Sequence, residues 1–414
     1  DPVAAVAFYL VVILLAAKLG GDLATRLGQP AVLGELVIGV LLGNLGHLGL
    51  HGLDAIPRDA GIDLLARLGV LILLFEVGLE STVGQMMKVG LSALVVAVLG
   101  VVTPMALGWA AGALLLPSAS WHVHAFLGAT LSATSVGITA RVLSDLGESK
   151  TDEARVILGA AVIDDVLGLI VLAVVGGVIA AADRGGGISA GEVSLIVLKA
   201  AGFLFGAIAI GVPLAPRLFR LGSRLRSPST LLGLGLVLCF LFAWVASLLG
   251  LAPIVGAFAA GLVLEDVVYK PFTGRGEEPL EDLVRPIAAF LVPVFFVLMG
   301  MRTDLGAFAH VEVLGLAAAL TLAAIVGKQA CSLGVFGGAG QRIDRLSVGI
   351  GMIPRGEVGL IFANIGLGLT VQGQPVIAKS TFSAVVVMVI VTTLVTPPAL
   401  KWSLGRRRAG AVST

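Results

Sequence analysis

Charge is scarce in this chain. Only 13% of its 414 residues are Asp, Glu, Lys or Arg, and 57% are hydrophobic. A soluble domain carries about 25% charged residues. The mean hydropathy is +1.06, so the chain must be solvated mostly by lipid rather than water. Cysteine is nearly absent. Cys239 and Cys331 lie in apolar runs and read as small core residues, not as a disulfide or metal site. HExxH, a nucleophile elbow and a paired Ser/His arrangement are all missing, which leaves an enzyme without support. A TVGYG filter is missing too. With a net charge of +1 and no basic cluster interleaved with aromatics, nothing points to nucleic acid. No basic n-region precedes the first apolar run, which starts at residue 3 and reads as a retained helix rather than a signal peptide.

What the chain has is apolar length. Segments long enough to cross a bilayer core of roughly 30 Å alternate with short polar stretches. The expected spans are 3–20, 30–46, 62–79, 90–116, 122–145, 154–182, 190–215, 229–249, 252–265, 284–301, 311–335, 345–369 and 376–403, with the ninth short. The expected fold is therefore an all-α polytopic membrane protein of about 13 transmembrane helices. The 56 glycines fit helices that pack closely in lipid. Nineteen lysines and arginines, from Lys18 to Arg408, fall on one side of these spans, against Arg58, Arg67, Arg184, Arg302 and Lys379 on the other. The basic side is read as cytoplasmic. The N-terminus is then expected outside and the C-terminus inside.

Two spans carry helix-weakening runs. The fifth contains TLSATSVGIT at 130–139, and the twelfth contains GIGMIPRGEVG at 349–359. Their odd offset of seven crossings implies opposite orientation, the mark of an inverted repeat. The reading is a first repeat over 1–182, a linker helix over 183–228, a second repeat over 229–403 and a basic cytoplasmic tail over 404–414. The two broken helices are expected to cross.

Three ionisable residues sit deep in apolar runs. Asp164 and Asp165 are about nine residues from the inner edge, hence roughly 14 Å deep, and Lys328 has a similar depth. Carboxylates at that depth mark an ion or proton site by default. A buried lysine keeps its charge only beside a partner, and a carboxylate at the same depth is the obvious one. Adjacent residues on a helix point about 100° apart, so one Asp can face Lys328 while the other faces a water-filled cavity. Spacing alone leaves open which does which, although Asp164 is the expected partner of Lys328. Arg355 and Glu357 are placed to neutralise broken-helix ends. Thr134 and Ser135 offer hydroxyls and carbonyls to a cation. Glu35 could line a cytoplasmic funnel, although a structural role fits it better; Glu148, Asp152 and Glu153 read as a solvated turn, and His122 and His124 as outward loop residues. A carboxylate that binds either a cation or a proton, in a cavity open to one side at a time, exchanges the two.

The motifs resemble one family. LGQPAVLGELVIGVLLG at 27–43, LLFEVGLE at 73–80, LSATSVGITARVLSDLG at 131–147, ILGAAVIDDVLGLIVLAVVGG at 157–177, PVFFVLMG at 293–300, GKQA at 327–330 and PRGEVGLIFANIG at 354–366 follow in order over nearly the whole chain. They are similar to the bacterial sodium/proton antiporters of the second cation–proton antiporter group. The resemblance implies exchange of Na+ (or Li+) for H+, no cofactor, and a homodimer working as an elevator with a mobile core domain and a dimerisation domain. It also implies cation binding by Asp165 and pairing of Asp164 with Lys328. The Asp-Asp pair resembles the electrogenic subtype, whereas the potassium-efflux branch carries Gln-Asp. Potassium/proton exchange and a non-transporting sensor of the same fold are the alternatives.

Overall fold

The computed structural model describes residues 2–80, 90–146, 148, 151–183, 190–225, 229–264, 272, 278–336, 343–371 and 373–412. Among these residues the chain forms fifteen α-helices. In chain order they are α1 Pro2–Arg26, α2 Ala31–Gly43, α3 Ala60–Glu80, α4 Leu91–Leu115, α5 Trp121–Ser132, α6 Val136–Asp145, α7 Asp152–Asp183, α8 Ala190–Gly222, α9 Thr230–Leu248, α10 Pro253–Val263, α11 Leu280–Met301, α12 Val311–Ala330, α13 Arg345–Gly351, α14 Glu357–Gly368 and α15 Lys379–Val412. Eight are long and apolar enough to cross a membrane, and α2, α10 and α14 are shorter apolar helices. The expected fifth and twelfth spans each appear as two half-helices, α5/α6 and α13/α14. Counting each pair once gives the thirteen expected segments.

Two segments differ from expectation. The last helix does not end near residue 403 but continues to Val412. It carries Lys401 and Arg406 onward as helix, because no Gly-Pro break follows the two prolines at 397 and 398. Between α14 and α15 lies a small antiparallel hairpin, Thr370–Val371 with Gln374–Pro375, turned by Gly373 at φ 76°. Several loop cations behind the expected orientation, Lys88 and Lys270 among them, lie outside the described residues.

The helices pack as two groups that interleave along the chain. In the first, α1 packs on α2, α2 and α3 on α11, α3 on α10 and α9 on α10. In the second, α4 packs on α5, α7 and α12, and α15 on α12, α13 and α14. Helix α8 touches α7 of the second group and α9 and α10 of the first. Small residues let backbones meet within the first group, as membrane packing requires. A Cβ at Gly78 would strike the Phe258 carbonyl, and one at Gly39 the Val297 carbonyl.

Two cavities lie on the seam between the groups. One, of about 290 Å³, runs from Ala31 and Leu36 of α2 to Ser135, Gly356 and Thr393 of the second group. The other, of about 390 Å³, lies between Arg67 and Pro253 of the first group and Leu172, Asn364 and Leu369 of the second.

Candidate ion site

The site is built where the two interrupted helices meet. In the first, Ala133, Thr134 and Ser135 leave the helix, since Ala133 is extended (φ −62°, ψ 144°). In the second the break runs from Met352 to Gly356, with Pro354 unable to donate a backbone bond. The breaks are tied to each other. Ser135 N donates to Pro354 O at 2.9 Å, and Thr139 Oγ1 donates to Gly351 O at 2.6 Å. A Cβ at Gly356 would run into the Ser135 side chain.

Each break leaves carbonyls without helical partners. Helices α5 and α13 both end here, so two negative dipole ends face one another. Arg355 answers the first. It is wholly buried, and its NH1 donates to Ala133 O at 2.6 Å. Its NH2 donates to Ala324 O at 3.3 Å, on α12 one turn before Lys328. The second end, Gly351 O, takes the Thr139 hydroxyl, which spacing did not single out.

The Asp164 and Lys328 side chains are wholly buried, and Lys328 Nζ donates to Asp164 Oδ1 at 2.9 Å. A cationic donor on an ionised acceptor makes this bond stronger than a neutral one. Asp164 Oδ2 and Thr134 Oγ1 are buried and find no hydrogen-bond partner among the described residues. Asp165, on the next position of α7, is partly buried. Ser135 is buried and lines the 290 Å³ cavity. Glu357 begins α14, and its side chain lies outside the described residues.

Sequence reasoning missed Gly100 of α4. A Cβ there would sit 3.3 Å from Lys328 Nζ, 3.6 Å from Asp164 Oδ1 and 3.7 Å from the Cys331 Cβ. The glycine makes room for the ion pair, and nothing but a glycine in an apolar helix signalled it. Other residues departed from expectation. Glu153 is not solvated but wholly buried, and Glu148 is buried too, because the start of α7 packs under α13. Glu35, by contrast, is buried on α2, as a structural residue would be. His124 is in a helix rather than a loop, and its Nε2 lies 3.0 Å from Leu116 O. No group of three His, Cys, Asp or Glu fit to hold a metal occurs among the described residues.

The chain has relatives among known proteins. The model of the sodium/hydrogen exchanger transmembrane family matches residues 10–404. The chain is 39% identical to the high-affinity Na(+)/H(+) antiporter NhaS3 of Synechocystis sp., over 96% of this chain and 89% of that one. It is 36% identical to the Na(+)/H(+)-K(+) antiporter GerN of Bacillus cereus, over 97% and 96% respectively. Among solved structures, the sodium proton antiporter MjNhaP1 of Methanocaldococcus jannaschii shares the fold, with a TM-score of 0.70 at 15% identity over 98% of this chain and 99% of that one. These relatives are transporters, not enzymes. The chain is an integral membrane protein and belongs to the sodium/hydrogen exchanger family.

Proposed function

We propose that the protein is a secondary antiporter that exchanges Na+ or Li+ for H+ at Asp165. The observation that carries this reading is the wholly buried Lys328–Asp164 pair beside a partly buried second carboxylate. Burying a lone carboxylate costs several kcal/mol. Asp164 is spared that cost by Lys328, which leaves Asp165 to take a cation or a proton. A dehydrated cation wants several oxygens. Thr134, Ser135 and the carbonyls of the breaks are the candidates, with Glu357 next to the second break in sequence. Arg355 keeps a fixed positive charge on the broken-helix end, so the carboxylate and not the helix dipole carries the exchange.

The two-group packing supports an elevator. The second group holds the aspartates, the lysine and both breaks, and is read as the mobile core. The first group is read as the dimerisation domain of a homodimer, with the boundary between inverted repeats at the linker helix α8. The two seam cavities are read as the inner and outer approaches. The basic C-terminus is placed in the cytoplasm of a bacterium.

The test is sodium-driven proton movement in proteoliposomes. Asp165→Asn is expected to abolish it while leaving thermal stability in detergent near that of the parent. Undiminished exchange removes the central claim. One relative's name includes potassium, so the same assay run with Na+, Li+ and K+ at fixed pH decides the substrate, and with an imposed potential the charge balance.

A further inference from the structure

At the rim of the second group a buried carboxylate holds the end of a half-helix. Glu153 lies in the first turn of α7 and is wholly buried. Its Oε1 accepts a bond from Asp344 N at 2.8 Å. Asp344 is the N-cap of α13, and its Oδ1 accepts from Leu346 N at 3.3 Å. Its Oδ2 accepts from Ser347 Oγ at 2.7 Å and from Ser403 Oγ at 3.3 Å, both of these serines wholly buried. Arg406 NH2 lies 3.5 Å from its Oδ1. The start of α7, the cap of α13 and the end of α15 thus meet at one point.

Helix geometry connects that point to the ion site. Glu153, Ile157 and Asp164 are four and eleven positions apart, so they form one stripe along α7. Each member of the stripe has a partner. Glu153 holds the cap of α13, Ile157 packs on Gly351 at the other end of α13, and Asp164 holds Lys328. A Cβ at Gly351 would come within 2.6 Å of Ile157 Cδ1. Helix α13 has only seven residues, and the break follows it directly. Seated at both ends against α7, it cannot slide along that helix. The height of the break relative to Asp164 and Asp165 is therefore set at the rim, about 16 Å from Asp164.

We infer that Glu153 and Asp344 are positioning residues for the cation site. Their bond sets the axial height of the interrupted helix on the stripe of α7 that leads to Asp164, next to Asp165. Neither touches the cation. The inference rests on the exchange at Asp165 proposed above. A buried carboxylate is an expensive way to hold two helices, and an apolar contact would do so more cheaply. What the carboxylate adds is one directed bond at one height. An error of about 1 Å in a reacting geometry can cost up to about 10²-fold.

The test separates apparent KM for sodium from maximal rate in proteoliposomes. Glu153→Gln keeps an acceptor oxygen at the same reach and is expected to stay within about twofold of the parent in both. Glu153→Asp draws the acceptor back by one methylene, and Glu153→Ala removes it. Apparent KM is expected to rise in the order Gln, Asp, Ala, reaching about tenfold in Ala, with maximal rate per folded protein within about twofold. An unchanged KM in Ala overturns the inference, as does a KM in Gln equal to that in Ala. If Ala is not recovered folded, Gln against Asp decides, and a KM no higher in Asp than in Gln overturns it. A parent protein that moves no protons with sodium overturns the exchange reading instead.

Discussion

Lys328 and Asp164, 164 positions apart in sequence, form an ion pair at 2.9 Å whose two side chains are both wholly buried. In such a pair each charge depends on the other, and removing one partner is more damaging than removing both. Lys328→Met is expected to lower stability by about 3–5 kcal/mol, because it strands a buried carboxylate. Adding Asp164→Asn should restore a large part of that loss. Thermal unfolding of the purified protein in one detergent checks both. Equal losses in the single and double variants would mean that Asp164 is already neutral in the parent.

The same pair bears on charge balance. If the lysine carries one of the transported protons, Lys328→Gln with Asp164→Asn removes one charge from the cycle and leaves Asp165 to exchange. Exchange by this double variant is expected to be insensitive to membrane potential, measured as proton flux in vesicles under imposed potassium diffusion potentials. Voltage dependence equal to the parent's would rule out the lysine as a carrier.

Gly100 gives a steric test of the same site. A methyl group there would lie 3.3 Å from Lys328 Nζ, too close without a shift of the ammonium. Overpacking of this kind costs roughly 1–3 kcal/mol. Gly100→Ala is expected to lower stability by that amount and to slow exchange, with Gly100→Val worse. Gly168→Ala on α7 is the control, since a Cβ there meets nothing within 4 Å. Equal behaviour of the two alanine variants would show that the pair has slack.

Much of this architecture is legible in the sequence alone. Apolar length gave the helices, and Gly-Pro-Gly at 349–359 gave a break, because both depend on local properties of the backbone. The carboxylates and the lysine were legible because charge is so expensive in lipid that each instance stands out. Glu153 was not. It reads as part of a polar turn, and only the packing of α13, nearly two hundred residues later, buries it. Gly100 and Thr139 were hidden for the same reason. Their roles are set by what lies across from them, which local sequence does not encode.

Arg302 and Asn364 show this dependence on tertiary context most directly. Arg302 is the C-cap of α11 in the first group, where its NH2 donates to Asp63 Oδ1 at 2.6 Å. Its NH1 reaches across the seam to Asn364 Oδ1 of α14, at 3.1 Å. Asn364 also lines the 390 Å³ cavity, together with Arg67, which shares Asp63 at 2.6 Å. A bond from a charged donor contributes about 1.5–3 kcal/mol, so it favours the arrangement in which the two groups meet here by about tenfold or more. Any sliding of one group past the other must break it. Asn364→Ala is therefore expected to raise the reaction rate of a thiol reagent with a cysteine placed at Ala173, in the cavity wall, by about tenfold. The parent protein carrying Ala173→Cys alone is the reference, because Cys239 and Cys331 are both buried. A rate that Asn364→Ala leaves unchanged would mean that apolar packing across the seam, and not this bond, holds the two groups in place.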